Sequence, residues 1–207
     1  MSAPSLPYSG EIARKALHVV AMLIPASMLL IDRTTGLAIL APLAVSAMFL
    51  DRYRLKNDAV SDWLSEHLGF MMRADERDSS GNRVFFNGAT WVMLTALLLL
   101  LVFPARFAAP GMVIAMLADA GAALVGRKWG RRKWPGGSRT VEGTLAFLVT
   151  GVVSALFFPS IPWPDKLTAV GIAAVMEIPP LRINDNLLLP FVAATVLWAM
   201  AGMPPLW

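Results

Sequence analysis

The stretch EIARKALH sets Glu11, Arg14, Lys15 and His18 at i, i+3, i+4 and i+7, so a helix carries all four ionisable side chains on one face. His18 lies deepest in the apolar run that follows, where an ionisable group is costly to bury and is a functional candidate by default. The competing reading is a solvated helix start whose basic chains snorkel to the interface. Further along, MVIAMLADAGAALVG places Asp119 among alanines and glycines that allow helices to approach closely. An acid there needs a partner. It is either a structural arginine or a divalent cation held for a nucleotide, because magnesium sites use one or two carboxylates plus substrate phosphates.

The segment that follows, GRKWGRRKWPGGSRTVEG, has the chemistry of a phosphate cradle. Arg127, Lys128, Arg131, Arg132, Lys133 and Arg139 supply charge, Gly126, Gly130, Gly136 and Gly137 allow close backbone approach, and Ser138 and Thr140 add hydroxyl donors. It runs into a helix N-terminus, itself an anion site. Glu142 at that entrance either ligates a cation or complements the helix dipole. The segment matches neither the P-loop nor the GxGxxG pattern, and its charge also suits a cytoplasmic membrane anchor. A last cluster, EIPPLRINDNLLLP, brings Glu177, Asn184, Asp185 and Asn186 together, with a plain turn in which Asp185 or Asn186 caps a helix as the alternative. Glu76, in MMRADER, reads singly as a loop charge.

The elements that must position these residues are membrane helices. Of the 207 residues 57% are hydrophobic and only 15% charged, against roughly 25% charged in soluble domains, and the mean hydropathy is +0.60. Seven apolar runs approach the length of a span: Ile12 to Ile31, Gly36 to Leu50, Phe86 to Pro104, Ala108 to Val125, Val141 to Phe158, Lys166 to Ile178 and Leu187 to Met203. The second and sixth are short and can be re-entrant, which would make six spans. An N-terminus inside leaves only Arg33, Arg106 and Lys166 of the 18 basic residues outside, as the positive-inside rule requires. The expectation is an all-α polytopic bundle forming a single domain over 1–207, with about seven transmembrane helices and a cytoplasmic N-terminus. Pro25, Pro42 and Pro190 mark kinks or unwound turns within or beside the spans. The first span resembles a signal peptide only superficially, since its apolar run continues past Ala26 and Ser27.

Between spans two and three, near 52–83, Val60, Trp63, Leu64, Leu68, Met71 and Met72 recur at helical spacing. That fits an amphipathic helix on the cytoplasmic surface, or equally a loop helix packed on the bundle. With no cysteine, thiolate chemistry and disulfides are excluded. The pI near 9.9 points to anionic lipid or nucleotide phosphates and not to nucleic acid, because the basic residues are interleaved with spans.

These motifs together resemble the CTP-dependent lipid alcohol kinases, a family that includes dolichol kinase, phytol kinase and CTP-using diacylglycerol kinase and is distantly related to CDP-diacylglycerol synthase. The resemblance is carried by EIARKALH at Glu11 to His18, by RADE and NGATW between Arg73 and Trp91, by LADAGAALVGRKWGRRKWPGGSRTVEGTLAF at Leu117 to Phe147, and by NDNLLLP at Asn184 to Pro190. Two departures stand out. The chain has Ser138-Arg139-Thr140 where relatives often carry lysine before the hydroxyl pair, and Asn184 where many have a second aspartate, which puts a two-carboxylate role there in doubt.

The resemblance implies CTP as phosphoryl donor, magnesium on Asp119 and Glu142 or Asp185, and a triphosphate held by the loop near 126–141. Arg14, Lys15, Gly126, Arg127, Lys128, Arg131, Lys133, Ser138, Arg139, Thr140 and Asn186 are the phosphate-binding candidates. His18 is the candidate base, with Asp119 or Asp185 as alternatives, and Glu11, Glu76, Glu177 and Asn184 complete the site. The acceptor is a lipid alcohol in the bilayer, polyprenol ahead of phytol or diacylglycerol. The active site would face the cytoplasm at a bacterial inner membrane, in a monomer or a homodimer among membrane lipids. Rival readings are a phosphatidate cytidylyltransferase using the same cradle, and a transporter or channel using Asp119 and His18 as an ion path. The halves of the chain show no self-similarity that would favour a transporter.

Overall fold

A computed structural model describes residues 7–72, 86–181 and 183–205. Glu76 and the RADE motif lie outside the described residues. Nine α-helices are seen among them: α1 (Tyr8–Val20), α2 (Leu23–Leu30), α3 (Arg33–Lys56), α4 (Asp58–Leu68), α5 (Gly88–Val102), α6 (Ala105–Trp129), α7 (Val141–Ser154), α8 (Trp163–Glu177) and α9 (Asp185–Met200). Tyr8–Leu30, Arg33–Lys56 and Ala105–Trp129 are long and apolar enough to cross a membrane, and shorter apolar helices occupy Gly88–Val102, Val141–Phe157 and Asp185–Met200. The second run is thus longer than its apolar stretch suggests. Asp32 caps α3 by accepting from the Thr35 amide, and the helix continues through Asp51 to Lys56.

The first run is a broken helix. Pro25 has no N–H to offer the Ala21 carbonyl and its ring crowds that group, so the carbonyl instead accepts from the Ile24 amide at 3.0 Å, and the chain breaks between α1 and α2. Pro42 and Pro190 sit inside α3 and α9, which continue past them.

The burial pattern of α1 is inverted relative to a helix of a water-soluble protein. On α1 the buried residues are Gly10 and the four members of the ionisable stripe, Glu11, Arg14, Lys15 and His18, while Ile12, Leu17, Val19 and Val20 face outward. That arrangement overturns the snorkelling reading of the helix start and suits a surface bathed in hydrocarbon, where the polar stripe must turn toward protein partners. The centre of the bundle is α6, which packs chiefly on α7 and α9. Small residues set these approaches: a methyl group at Gly111 would lie 2.6 Å from the Ala194 backbone nitrogen, and one at Gly143 would lie 3.2 Å from the Ala122 carbonyl oxygen. The sixth run forms α8, which begins at Trp163 after Pro162 and ends at Glu177.

In the segment near 52–83, α4 forms with Asn57 as its cap. It buries none of its residues.

Candidate functional site

Five helix ends meet on one side of the bundle: the N-terminal half of α1, the C-terminus of α6, the N-termini of α7 and α9, and the C-terminus of α8. Between α6 and α7 the basic segment forms a small hairpin. Lys133 and Thr140 pair as an isolated antiparallel bridge, Val141 donates to the Arg132 carbonyl at 2.8 Å, and Gly136 turns the chain at φ 75°. Thr140 caps α7 by accepting from the Gly143 amide at 3.1 Å. The Glu142 carboxylate accepts from the backbone amides of Arg131 and Arg132 at 3.1–3.3 Å. Glu142 therefore fastens the hairpin to the helix entrance.

This hairpin aims Arg139 at two acids from different helices. Its Nη1 donates to Glu177 Oε1 at 3.0 Å, and its Nη2 donates to Asp185 Oδ2. Asn184 caps α9 by accepting from the Asn186 amide, so the cap is neither Asp185 nor Asn186. Burial disfavours the charge on Arg139, but Asp185, Glu177 and Asp119 outweigh it and raise the guanidinium above its ordinary pKa.

These groups line a cleft of about 860 Å³. Glu11, Arg127, Lys128, Arg139, Glu177 and Asp185 give it charge, and Gly126, Ser138, Thr140 and Gly143 line it as well. Arg127 Nη2 pairs with Glu11 Oε2 at 3.1 Å. Behind the cleft, Lys15 donates to Asp119, and His18 bridges α1 to α9, its Nδ1 3.2 Å from the Arg14 carbonyl oxygen and its Nε2 3.1 Å from Asn186 Oδ1.

Of the expected magnesium ligands, Asp119 with Glu142 or Asp185, Asp119 pairs with Lys15, Glu142 accepts from the Arg131 and Arg132 amides, and Asp185 pairs with Arg139. Among the described residues no three acid or histidine side chains form a metal-binding group. A magnesium ion held mainly by nucleotide phosphates needs only one or two carboxylates. Glu177 and Asp185 fit that demand, because both line the cleft and the buried Oε2 of Glu177 has no hydrogen-bond partner.

Arg131 and Lys133 belong to the hairpin but do not line the cleft. Sequence reasoning missed Tyr8, which lines it and places its ring 6.0 Å from Lys128 Nζ. It also missed a second buried network. Asp51 on α3 accepts from the Asn87 amide (2.8 Å), Asn87 Nδ2 (2.7 Å) and Thr90 Oγ1 (2.7 Å). Asp51 ends an apolar run, and an acid at the rim of a span was the available signal.

No family model and no solved structure matches the chain. It is 32% identical over 89 residues to dolichol kinase of Saccharomyces cerevisiae, a match covering 39% of this chain and 17% of that protein. It is 26% identical over 165 residues to CTP-dependent diacylglycerol kinase 1 of Schizosaccharomyces pombe, covering 72% and 73% respectively. With phytol kinase of Synechocystis it shares 28% identity over 102 residues, covering 45% of this chain and 44% of the relative. These matches make the chain similar to CTP-dependent lipid kinases. It spans less than a fifth of the dolichol kinase and less than half of the phytol kinase. Among the described residues the chain is helical, with several apolar helices.

Proposed function

We propose that this chain transfers the γ-phosphoryl group of CTP to the hydroxyl of a lipid alcohol in the bilayer, a polyprenol or dolichol-type alcohol ahead of phytol or diacylglycerol. The observation that carries the reading is the cleft in which Arg127, Lys128 and Arg139 stand opposite Glu177 and Asp185 at one end of an apolar helical bundle. The kinase relatives support it. Basic side chains match the triphosphate, and the apolar bundle gives the acceptor its solvent.

In this reading Glu177 and Asp185 would hold a magnesium ion together with the nucleotide phosphates, and such an ion would supply charge neutralisation for the transfer. Arg139 donates to the transferring group while Arg127 and Lys128 face the rest of the triphosphate. The acceptor oxygen bonds to the γ-phosphorus, the bond from that phosphorus to the β–γ bridging oxygen breaks, and CDP leaves. His18 takes the hydroxyl proton. Its two ring nitrogens face acceptors, the Arg14 carbonyl at Nδ1 and Asn186 Oδ1 at Nε2, and both contacts favour the doubly protonated ring that results. Asp119, held by Lys15, stabilises the cation that forms on the ring.

We also assign seven spans and a cytoplasmic N-terminus, in a bacterial inner membrane with the cleft facing the cytoplasm. Each apolar run falls on a helix or helix pair, and the basic residues of the cleft gather at the end where the positive-inside rule would put the cytoplasm. Purified protein in detergent, given γ-labelled CTP and a panel of polyprenol, phytol and diacylglycerol, should label one alcohol, with unlabelled CTP competing better than ATP, GTP or UTP. Absence of label in every alcohol overturns the reading.

A further inference from the structure

Arg139 and the two acids it holds come from three separate elements: the hairpin, the end of α8 and the start of α9. Its Nη1 donates to Glu177 Oε1 and its Nη2 to Asp185 Oδ2, so a single guanidinium fills the space between the two carboxylates. The three side chains are not equally enclosed. Glu177 is only 3% exposed, yet it lines the cleft, and its Oε2 is buried with no hydrogen-bond partner. The Arg139 side chain keeps 26% of its surface open. Glu177 is thus held by its burial at a helix end, and Arg139, with a long stem rooted in a loop, is the member of the trio that can swing away.

One guanidinium brings one positive charge to two negative ones and leaves a buried carboxylate oxygen without a donor, which is costly. A divalent cation balances two carboxylates in charge and takes oxygen ligands of this kind. The rest of the cleft repeats the theme. Glu11, Glu177 and Asp185 line it with three basic side chains, Arg127, Lys128 and Arg139, so its formal charges cancel. A triphosphate entering alone meets Glu177 and Asp185 as like charges, and a divalent cation entering alone meets Arg139. Entering together, they exchange partners: phosphate oxygens accept from the guanidinium, and the two acids face the cation.

We propose that Arg139 is a built-in stand-in for the divalent cation, closing the place between Glu177 and Asp185 until nucleotide phosphates draw it away, so that the cleft takes nucleotide and cation together and excludes the free cation. The proposal rests on the kinase reading and deepens it by stating how that site is regulated. The coupling is reciprocal, since whatever the nucleotide adds to the affinity for the cation, the cation adds to the affinity for the nucleotide.

Manganese(II) alone, followed through the paramagnetic resonance signal of the free aqua ion, tests this without turnover. Unaltered protein in detergent should bind the ion weakly, Arg139→Met should bind it at least about tenfold more tightly, and adding Asp185→Asn to that variant should remove the gain. Arg139→Met should also melt at a lower temperature, and manganese(II) should restore it by pairing the stranded acids. An arginine that served only the fold would lose stability with no such rescue. If the methionine variant does not fold, Arg139→Gln carries the same measurements. Unaltered protein that binds manganese(II) as tightly as the variants, or variants that gain neither affinity nor rescue, would overturn the stand-in and leave the kinase reading to the label-transfer assay. If no alcohol is labelled but the variants gain an affinity that Asp185→Asn removes, the kinase reading fails and the stand-in holds for a cleft that serves another nucleotide reaction.

Discussion

Lys15 on α1 and Asp119 on α6 form an ion pair in which both side chains are almost wholly removed from the surface. A buried pair is weak evidence for stability in itself, but removing one member strands the other charge in a medium that cannot solvate it. Lys15→Met should therefore destabilise the protein by about 3–5 kcal/mol, read as a lowered melting temperature in detergent. Joined with Asp119→Leu, the double variant should regain most of that loss and still transfer no phosphate. A double variant with full activity would reduce the pair to a structural one.

Arg139 spans two carboxylates with two nitrogens, a task that the point charge of lysine cannot perform. Arg139→Lys should lower kcat/KM for CTP by about tenfold or more, roughly 1.4 kcal/mol of transition-state stabilisation, with the helical signal unchanged. Steady-state kinetics in detergent, beside a circular dichroism spectrum, check both parts.

Asp51 gathers three hydrogen bonds that fix the start of α5 to the end of α3. Asp51→Ala leaves those donors without their acceptor and should cost about 3 kcal/mol. Asp51→Asn keeps one acceptor oxygen and should cost less. The order of the two melting temperatures is the measurement.

Gly111 touches the backbone of α9, so even a methyl group has no room. Gly111→Ala should destabilise by about 1–3 kcal/mol through forced separation of α6 and α9, while the folded fraction transfers phosphate at the unaltered rate, since Gly111 is not part of the cleft.

Much of this was legible in the sequence. The apolar runs announced the helices, and the glycines and alanines around Asp119 announced a close approach that α6 makes with α7 and α9. The EIARKALH stripe, the basic hairpin and the NDN turn were each visible as candidates. Their pairings were not, because they are tertiary: Lys15 and Asp119 stand 104 residues apart, and Arg139 and Asp185 stand 46 apart. Nor could residue type alone show that Glu142 would spend both oxygens on backbone amides of its own loop. Glu177 was legible only as one acid near two prolines, and its place opposite Arg139 depends on where α8 ends. The length of α3 was not legible because its last turns are polar, and Asp51 within them is tied to the start of α5 by contacts that are tertiary.

The central claim is that the γ-phosphorus of CTP, and not its α-phosphorus, ends in the lipid. The most direct measurement gives the purified protein CTP labelled at one phosphorus or the other, with polyprenol and phosphatidate as acceptors, and follows label into the lipid extract. The expected result is γ-label in a polyprenyl monophosphate, no α-label in any lipid, and loss of transfer in Asp185→Asn. Lipid carrying α-label, with release of pyrophosphate, would contradict it and make the cleft that of a cytidylyltransferase.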